Sequence, residues 1–135
     1  MFGPTGRLVD VGKILTGYLF DNLDGVEVWP ETPQGADWAA DGPSFVVASA
    51  TVTPIPGSLV LQVADLVVEA YAPDRDTAFP LIADVDELLK SMTGVRGGIQ
   101  FYGGELKAVT YRPYPGPFYP RYVAAGTLTC RLAGT

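Results

Sequence analysis

The sequence predicts a single α+β domain, with a mainly antiparallel sheet, two helices packed on one face, and the order α-β-β-β-α-β-β. Two segments, 7–23 and 74–92, repeat apolar residues at three- and four-residue steps, which is the period of a helix buried on one side. The remaining apolar segments are short or alternating and are bounded by Gly and Pro, which is typical of strands. Because strands mostly follow strands, we expect antiparallel neighbours.

The N-terminal third is predicted to contain one helix and two strands. Residues 1–6 are rich in Gly and Pro and are expected to form a flexible arm before the helix. For that helix Thr5 is the expected N-cap and Gly25 the expected stop. Strands are expected at 26–29 and 44–51.

A long strand at 59–71 and the helix after it are predicted to form the centre of the domain. The strand's polar residues do not keep one phase, which predicts a bulge near residues 62–64. Asp74 stands where an N-cap belongs, and the helix is expected to end near Met92.

The C-terminal third is predicted to be β-structure. Residues 99–102 and 105–112 are expected to be separate strands joined by a turn at Gly103 and Gly104. The alternation in 121–132 predicts the last strand, with Cys130 on its apolar side.

The bulk composition indicates one globular domain. The chain has 135 residues, 47% of them hydrophobic, and a formal net charge of −6. This charge argues against a surface built to grip phosphates. No apolar run approaches the roughly 18–20 residues that span a bilayer, so we expect a soluble protein made in a cytoplasm, without membrane contact.

No catalytic, cofactor-binding or metal-binding residue is predicted. The chain has no histidine and one cysteine, which we interpret as an inert core thiol. Asp74 and Asp76 are interpreted as capping residues of a helix. Asp65 and Glu69 share a strand phase, but at ~13 Å apart they are too far for paired acid–base chemistry.

Two segments are predicted to carry large apolar groups away from the core. The long loop 30–43 contains an aromatic residue, and segment 113–120 has four prolines in eight residues, which excludes it from a central strand. Exposed groups of this kind mark contacts with partners, although these aromatics folding back over their own sheet is the alternative. The candidate interface residues are Trp29, Trp38, Tyr114, Phe118, Tyr119 and Arg121.

Residues 63–78 (VADLVVEAYAPDRDTA), followed by the helix stripe of Ile82, Val85 and Leu88, resemble tail terminator proteins of long-tailed (siphovirus-type) bacteriophages. The likeness is strongest to those of phages that infect actinobacteria. The length, the acidic balance, the missing histidines, the element order and the closing run Thr127–Leu132 are also similar to that family.

The resemblance implies a structural virion protein and no enzyme. Such a protein forms a ring, usually a hexamer, that caps the tail tube, ends its polymerisation and joins the tail to the neck of the head. Its implied partners are other copies of itself, the major tail tube protein and a neck or head-completion protein, with genomic DNA only passing through the lumen. It would be assembled in the host cytoplasm and reside in the virion at the tail–neck junction.

Three alternatives stay open at this point. Another head–tail connector, neck or tail-tube-like ring protein is the nearest. An enzyme or small-ligand-binding domain would need a pocket built from Asp65, Glu69, Tyr71 and Arg75. A host-side module that binds peptide or nucleic acid is the third, with the acidic charge against nucleic acid.

Overall fold

A computed structural model describes residues 10–32, 44–52, 62–115 and 118–132, and of Pro115, Phe118 and Leu132 only the backbone. Two helices and eight strands follow one another in this part of the chain. They are α1 (Val11–Asn22), β1 (Glu27–Trp29), β2 (Phe45–Thr51), β3 (Gln62–Tyr71), α2 (Arg75–Lys90), β4 (Thr93–Arg96), β5 (Ile99–Tyr111), β6 (Tyr114–Pro115), β7 (Phe118–Tyr119) and β8 (Arg121–Leu132).

The α+β class is confirmed, and the sheet is mostly antiparallel. Six strands lie in the order β1-β2-β3-β8-β5-β4, and β6 and β7 form a separate two-stranded hairpin. Among the described strands, only β1 and β2 pair in parallel. A parallel neighbour requires a long connection, of about a dozen residues or more, and residues 30–44 supply one.

One hydrophobic core joins the helices to the sheet. It contains the buried residues of α1 and α2 together with the even-numbered side chains of β3 and β8. The Tyr18 hydroxyl donates a 2.7 Å hydrogen bond to the Leu88 carbonyl and so links the two helices. Burial raises the pKa of Tyr18, although the charge of Arg96 opposes the shift, and the hydroxyl stays protonated.

The caps of the two helices differ in how well the sequence predicts them. Asp74 caps α2 as expected, since its Oδ1 accepts from the Thr77 amide at 2.8 Å. The predicted cap of α1, Thr5, lies outside the described residues. Asp10 performs that role, accepting from the Lys13 amide at 3.0 Å, so α1 begins later than predicted.

Three strand predictions are corrected. β3 pairs with β8 without interruption from Gln62 to Tyr71, so the bulge expected near 62–64 is absent. Residues 93–96, for which no strand was predicted, form strand β4, because the chain reverses at Gly97 and Gly98, both at positive φ. Residues 99–111 are one strand, in which Gly103 and Gly104 form an irregularity rather than a turn.

The irregularity in β5 has a steric cause. At Gly104 a Cβ atom would collide with the carbonyl oxygen of Thr127 on β8. Gly103 has φ +90° and donates its amide to the Met92 carbonyl at 2.8 Å. Two glycines here allow close approach of two backbones, which is a second common use of Gly inside a strand.

Candidate functional site

The face of the sheet opposite the main core, called the outer face below, presents apolar side chains to solvent. On β3, Val63 is 56% exposed and Val67 is 50% exposed. Across the sheet, Val67 aligns with Ser49 of β2 and Ala125 of β8, both exposed. Exposed valines in the middle of a sheet are unusual for a face that only meets water.

A second exposed apolar region lies on the same face at the β4 edge. Val95 of β4 is 60% exposed, and Tyr102 of β5 is 46% exposed. Phe101 is buried in the core, and strand side chains alternate, so Tyr102 points to the outer face. Val95 is the neighbour of Gly94, which aligns with Phe101, and by the same alternation it also points outward.

The hairpin β6–β7 covers one end of the outer face and builds a small second core. This core contains Phe45, Val47, Tyr71 and Tyr119, with Tyr114 packed against it. The rings of Phe45 and Tyr71 stack at a centroid distance of 4.4 Å, and Tyr119 lies 6.1 Å from Tyr71. Burial raises the pKa of Tyr71, although a hydrogen bond from Arg121 opposes the shift.

Arg121 of β8 contacts both the hairpin and strand β3, and its guanidinium lies 5.5 Å from the Tyr114 ring centroid. Its Nη1 donates to Glu69 Oε1 at 2.8 Å, and its Nε donates to the Arg112 carbonyl at 2.8 Å. The Arg121 and Glu69 side chains are only 14% and 17% exposed. Glu69 therefore belongs to an internal ion pair, while Asp65, on the same strand phase, is exposed.

The six predicted interface residues divide into three groups. Trp29 is 39% exposed. Tyr119 was expected to be exposed and is fully buried, because the described parts of that segment, 113–115 and 118–120, fold back over the sheet; Tyr114 is half-buried, and Arg121 is held in its ion pair with Glu69. Trp38 and the side chain of Phe118 lie outside the described part of the chain.

The exposed residues that the sequence reasoning missed had a detectable signal. Strand β3 carries apolar residues on both phases: Ala64, Leu66 and Val68 inside, Val63 and Val67 outside. A strand with one face in solvent keeps polar residues at the alternate positions that point to that face. Valines on both phases therefore indicate contact on the second face.

Within the described residues, no group of three or more Asp, Glu, Cys or His side chains is placed to hold a metal ion. Cys130 is buried, and burial raises the pKa of its thiol, so the thiolate form is disfavoured. Neither described helix is long and apolar enough to cross a membrane. We derive no reaction from this part of the chain.

A cavity of about 380 Å³ lies between the start of α1 and the outer strands. Asp10, Lys13, Thr16 and Ser49 supply its polar lining. Asp10 already caps α1. The lining alone does not show that Lys13, Thr16 and Ser49 point toward one common ligand position. The cavity alone gives no ligand class.

Arg75 and three aromatic rings form a cluster at the start of α2. The Arg75 Nε donates to the Tyr122 hydroxyl at 2.9 Å, and its guanidinium lies 4.2 Å from the Tyr111 ring centroid. Phe79, 52% exposed, meets Tyr122 edge to face at 5.3 Å. The tyrosine hydroxyl and charge raise the pKa of Arg75, so this side chain stays a cation bound within its own domain. The ligand pocket imagined around Asp65, Glu69, Tyr71 and Arg75 is not assembled, since Glu69 and Arg75 bind different partners.

No protein-family model matches this chain, and a search of curated proteins finds no match either.

Proposed function

We propose that this chain is a structural virion protein that assembles into a ring, expected to be a hexamer, at the end of a phage tail tube. The ring would end tube polymerisation and join the tail to the neck. The proposal starts from the resemblance of residues 63–78 to tail terminator proteins. It gives the chain no catalytic residue and no cofactor.

The observation that carries the proposal is the part of the outer face that the β6–β7 hairpin leaves exposed. Val63, Val67, Val95 and Tyr102 are each 46–60% exposed there. Exposed apolar side chains grouped on one face are typical of surfaces that meet another protein. The proposal includes the arrangement in which both helices lie on the other face, since the outer face is then free for subunit or tube contacts.

The charge of the chain supports a ring through which DNA passes. The formal net charge is −6. Acidic walls repel phosphates, so DNA would slide through such a lumen without binding to it. The same charge does not favour a nucleic-acid-binding module.

The proposal is tested by measuring the mass of the assembly. Native mass spectrometry and light scattering are run on the purified protein alone and after addition of pre-formed tail tubes. We expect a hexamer, or a species that appears only at tube ends and stops tube growth. A monodisperse monomer that leaves tube length unchanged would reject the proposal. Rings that form but do not stop tube growth would favour another neck or connector protein.

A pair of matched variants tests whether the interface lies on the outer face of the sheet, where Trp29 aligns with Val47, and not wherever an aromatic ring is exposed. Trp29→Ala removes a 39% exposed aromatic at the sheet edge, and Phe79→Ala removes a 52% exposed aromatic on helix α2. We expect the Trp29 variant to stay folded and to assemble poorly. The Phe79 variant is expected to assemble normally, and equal behaviour of the two variants would count against the placement.

A further inference from the structure

The part of β5 that extends beyond β4 has a strand on one side only. β4 aligns with residues 99–102 of β5, whereas β8 aligns with β5 along its length from Ile99 to Tyr111. Within the described chain, residues 103–111 therefore have β8 as their only strand partner. The other side of this stretch, called the β5 edge below, is a place where a strand of another molecule could add.

A carboxylate from helix α2 occupies one position on the β5 edge. The Leu106 amide donates a 2.8 Å hydrogen bond to Oδ1 of Asp86. In an antiparallel pair, the N–H groups of successive residues point alternately toward and away from the partner strand. Because the Leu106 amide binds Asp86 and not Gly126, its aligned residue on β8, it points to the side on which a new strand would add.

Lys90 holds this carboxylate in place. Its Nζ lies 2.9 Å from Oδ2 of Asp86, so the two carboxylate oxygens bind different partners. The Asp86 side chain is 27% exposed. A hydrogen bond to an ionised acceptor is stronger than one between neutral groups. The Leu106 amide is therefore bound more firmly by Asp86 than it would be by the carbonyl of an added strand.

A bulge interrupts the β5 edge two residues after Leu106. Ala108 and Val109 together oppose a single residue of β8, Ala124. Ala108 has φ +51° and is the one residue other than Gly at positive φ in the described chain. This conformation is disfavoured for a residue with a Cβ, so it persists only where the surrounding structure requires it. A bulge bends its strand and disrupts the regular row of groups with which another strand would pair.

The side chains that flank Leu106 also disfavour a neighbouring strand. Glu105 and Lys107 are 55% and 59% exposed, and their charged groups lie 3.7 Å apart. Natural sheets use charged side chains and bulges to keep unpaired strand edges from joining between molecules. A bound amide, a bulge and two exposed charges thus occur together within residues 105–109.

We propose that Asp86 and the bulge at Ala108 and Val109 protect the β5 edge from pairing with a strand of a second copy of this chain. Asp86 binds an amide that an added strand would need, and the bulge removes the regular spacing of the edge. The inference does not depend on the proposed ring function. It identifies a surface through which copies of the chain do not join, whatever they assemble into.

Two changes open the β5 edge by different means. Asp86→Ala removes the acceptor of the Leu106 amide. Deletion of Ala108 removes the extra residue, so that Val109 alone opposes Ala124 and the strand on either side keeps its register. Each change makes about one or two strand hydrogen bonds available to a second copy. We therefore expect self-association of each variant to rise about tenfold, and that of the combined variant to rise further.

The place of the contact is measured by NMR on a mixture of two preparations of each variant. One preparation is isotope-labelled, and the other carries a spin label on Lys107→Cys; Cys130 is buried and is expected to stay unlabelled. Pairing at the β5 edge broadens the amide signals of residues 104–111 in the isotope-labelled copy. Analytical ultracentrifugation gives the association constants, and circular dichroism shows whether each variant is folded.

Two matched controls separate the proposed roles from general effects of mutation. Asp84→Ala removes an exposed carboxylate from the same helix. Ala108→Gly keeps the number of residues in the bulge and adopts positive φ without a steric penalty. Both controls are expected to associate like the wild type and to leave residues 104–111 without broadening.

The proposal fails if folded Asp86→Ala and the folded deletion variant associate no more than the controls. It also fails if their broadened signals lie outside residues 104–111, or if the wild type itself pairs at the β5 edge. Where one variant does not fold, the other decides. If neither folds, Asp86 and the bulge serve folding, and their role in edge protection is rejected.

Discussion

The ion pair between Glu69 of β3 and Arg121 of β8 is expected to stabilise the end of the sheet beside the β6–β7 hairpin, and Arg121→Ala tests it. The substitution removes the 2.8 Å ion pair and the 2.8 Å hydrogen bond to the Arg112 carbonyl together. It also leaves the Glu69 carboxylate, whose side chain is 17% exposed, without its cation.

The expected cost lies between the values for buried and exposed pairs. Breaking a fully buried pair costs about 3–5 kcal/mol, and an exposed pair is worth about 0–1 kcal/mol. Side chains that are 14% and 17% exposed lie closer to the buried case. We expect the free energy of unfolding to fall by about 2–3 kcal/mol, which for a domain of this size lowers Tm by about 8–12 °C.

The measurement is urea unfolding followed by circular dichroism and tryptophan fluorescence, arranged as a double-mutant cycle. Glu69→Gln, Arg121→Gln and the double variant isolate the energy of the pair, for which we expect about 1–2 kcal/mol. Lys107→Ala is the control, because its 3.7 Å pair with Glu105 is 59% and 55% exposed and is worth less than about 0.5 kcal/mol. A coupling energy below about 0.5 kcal/mol, the value expected for an exposed pair, would refute the reasoning.

Three further predictions concern close packing, acid sensitivity and the thiol. Gly126→Ala places a Cβ 2.6 Å from the Glu105 carbonyl oxygen and is expected to lower the free energy of unfolding by about 2–3 kcal/mol. Gly17→Ala is the control, because a Cβ there meets open space, and it is expected to stabilise α1 by about 0.5–1 kcal/mol in the same unfolding assay. Burial alone would raise the pKa of Asp86, but the hydrogen bond from the Leu106 amide and the charge of Lys90 lower it more, so the folded-state pKa lies below the usual value. The ionised Asp86 therefore stabilises the fold above about pH 4. This stabilisation is lost as the pH falls through the lower, folded-state pKa. Asp86→Asn should therefore flatten the acid limb of the stability curve, and an unchanged limb would contradict this. Cys130, buried with a raised pKa, should react with a thiol reagent only in denaturant, and rapid native labelling would exclude the packing described.

Local patterns predicted those parts of the fold that depend on neighbouring residues. The alternation of 121–132 gave strand β8 with both of its ends, and the position of Asp74 gave the start of α2. Each of these signals is contained within one element. The burial of Cys130 followed from the same alternation.

Features that depend on distant segments were not predictable in this way. Gly103 and Gly104 indicate a turn as readily as a close approach of strands, and only the position of Thr127 on β8 decides between them. Tyr119 lies in a proline-rich segment, and its burial depends on the rings of Phe45 and Tyr71 far away in the chain. The candidate interface could not be predicted fully for the same reason, because the exposure of a side chain depends on every segment that packs near it.

The place of β8 in the sheet has a consequence for how the protein is made. β8 is the last strand of the described chain, and it inserts between β3 and β5 at the centre of the sheet. Until residues 121–132 have left the ribosome, β3 keeps one unpaired edge and the core lacks Tyr122, Ala124 and Leu128. Pairings between such distant residues form slowly, and unpaired apolar strands aggregate. Chains released before this strand is complete would therefore be substrates for chaperones and proteases.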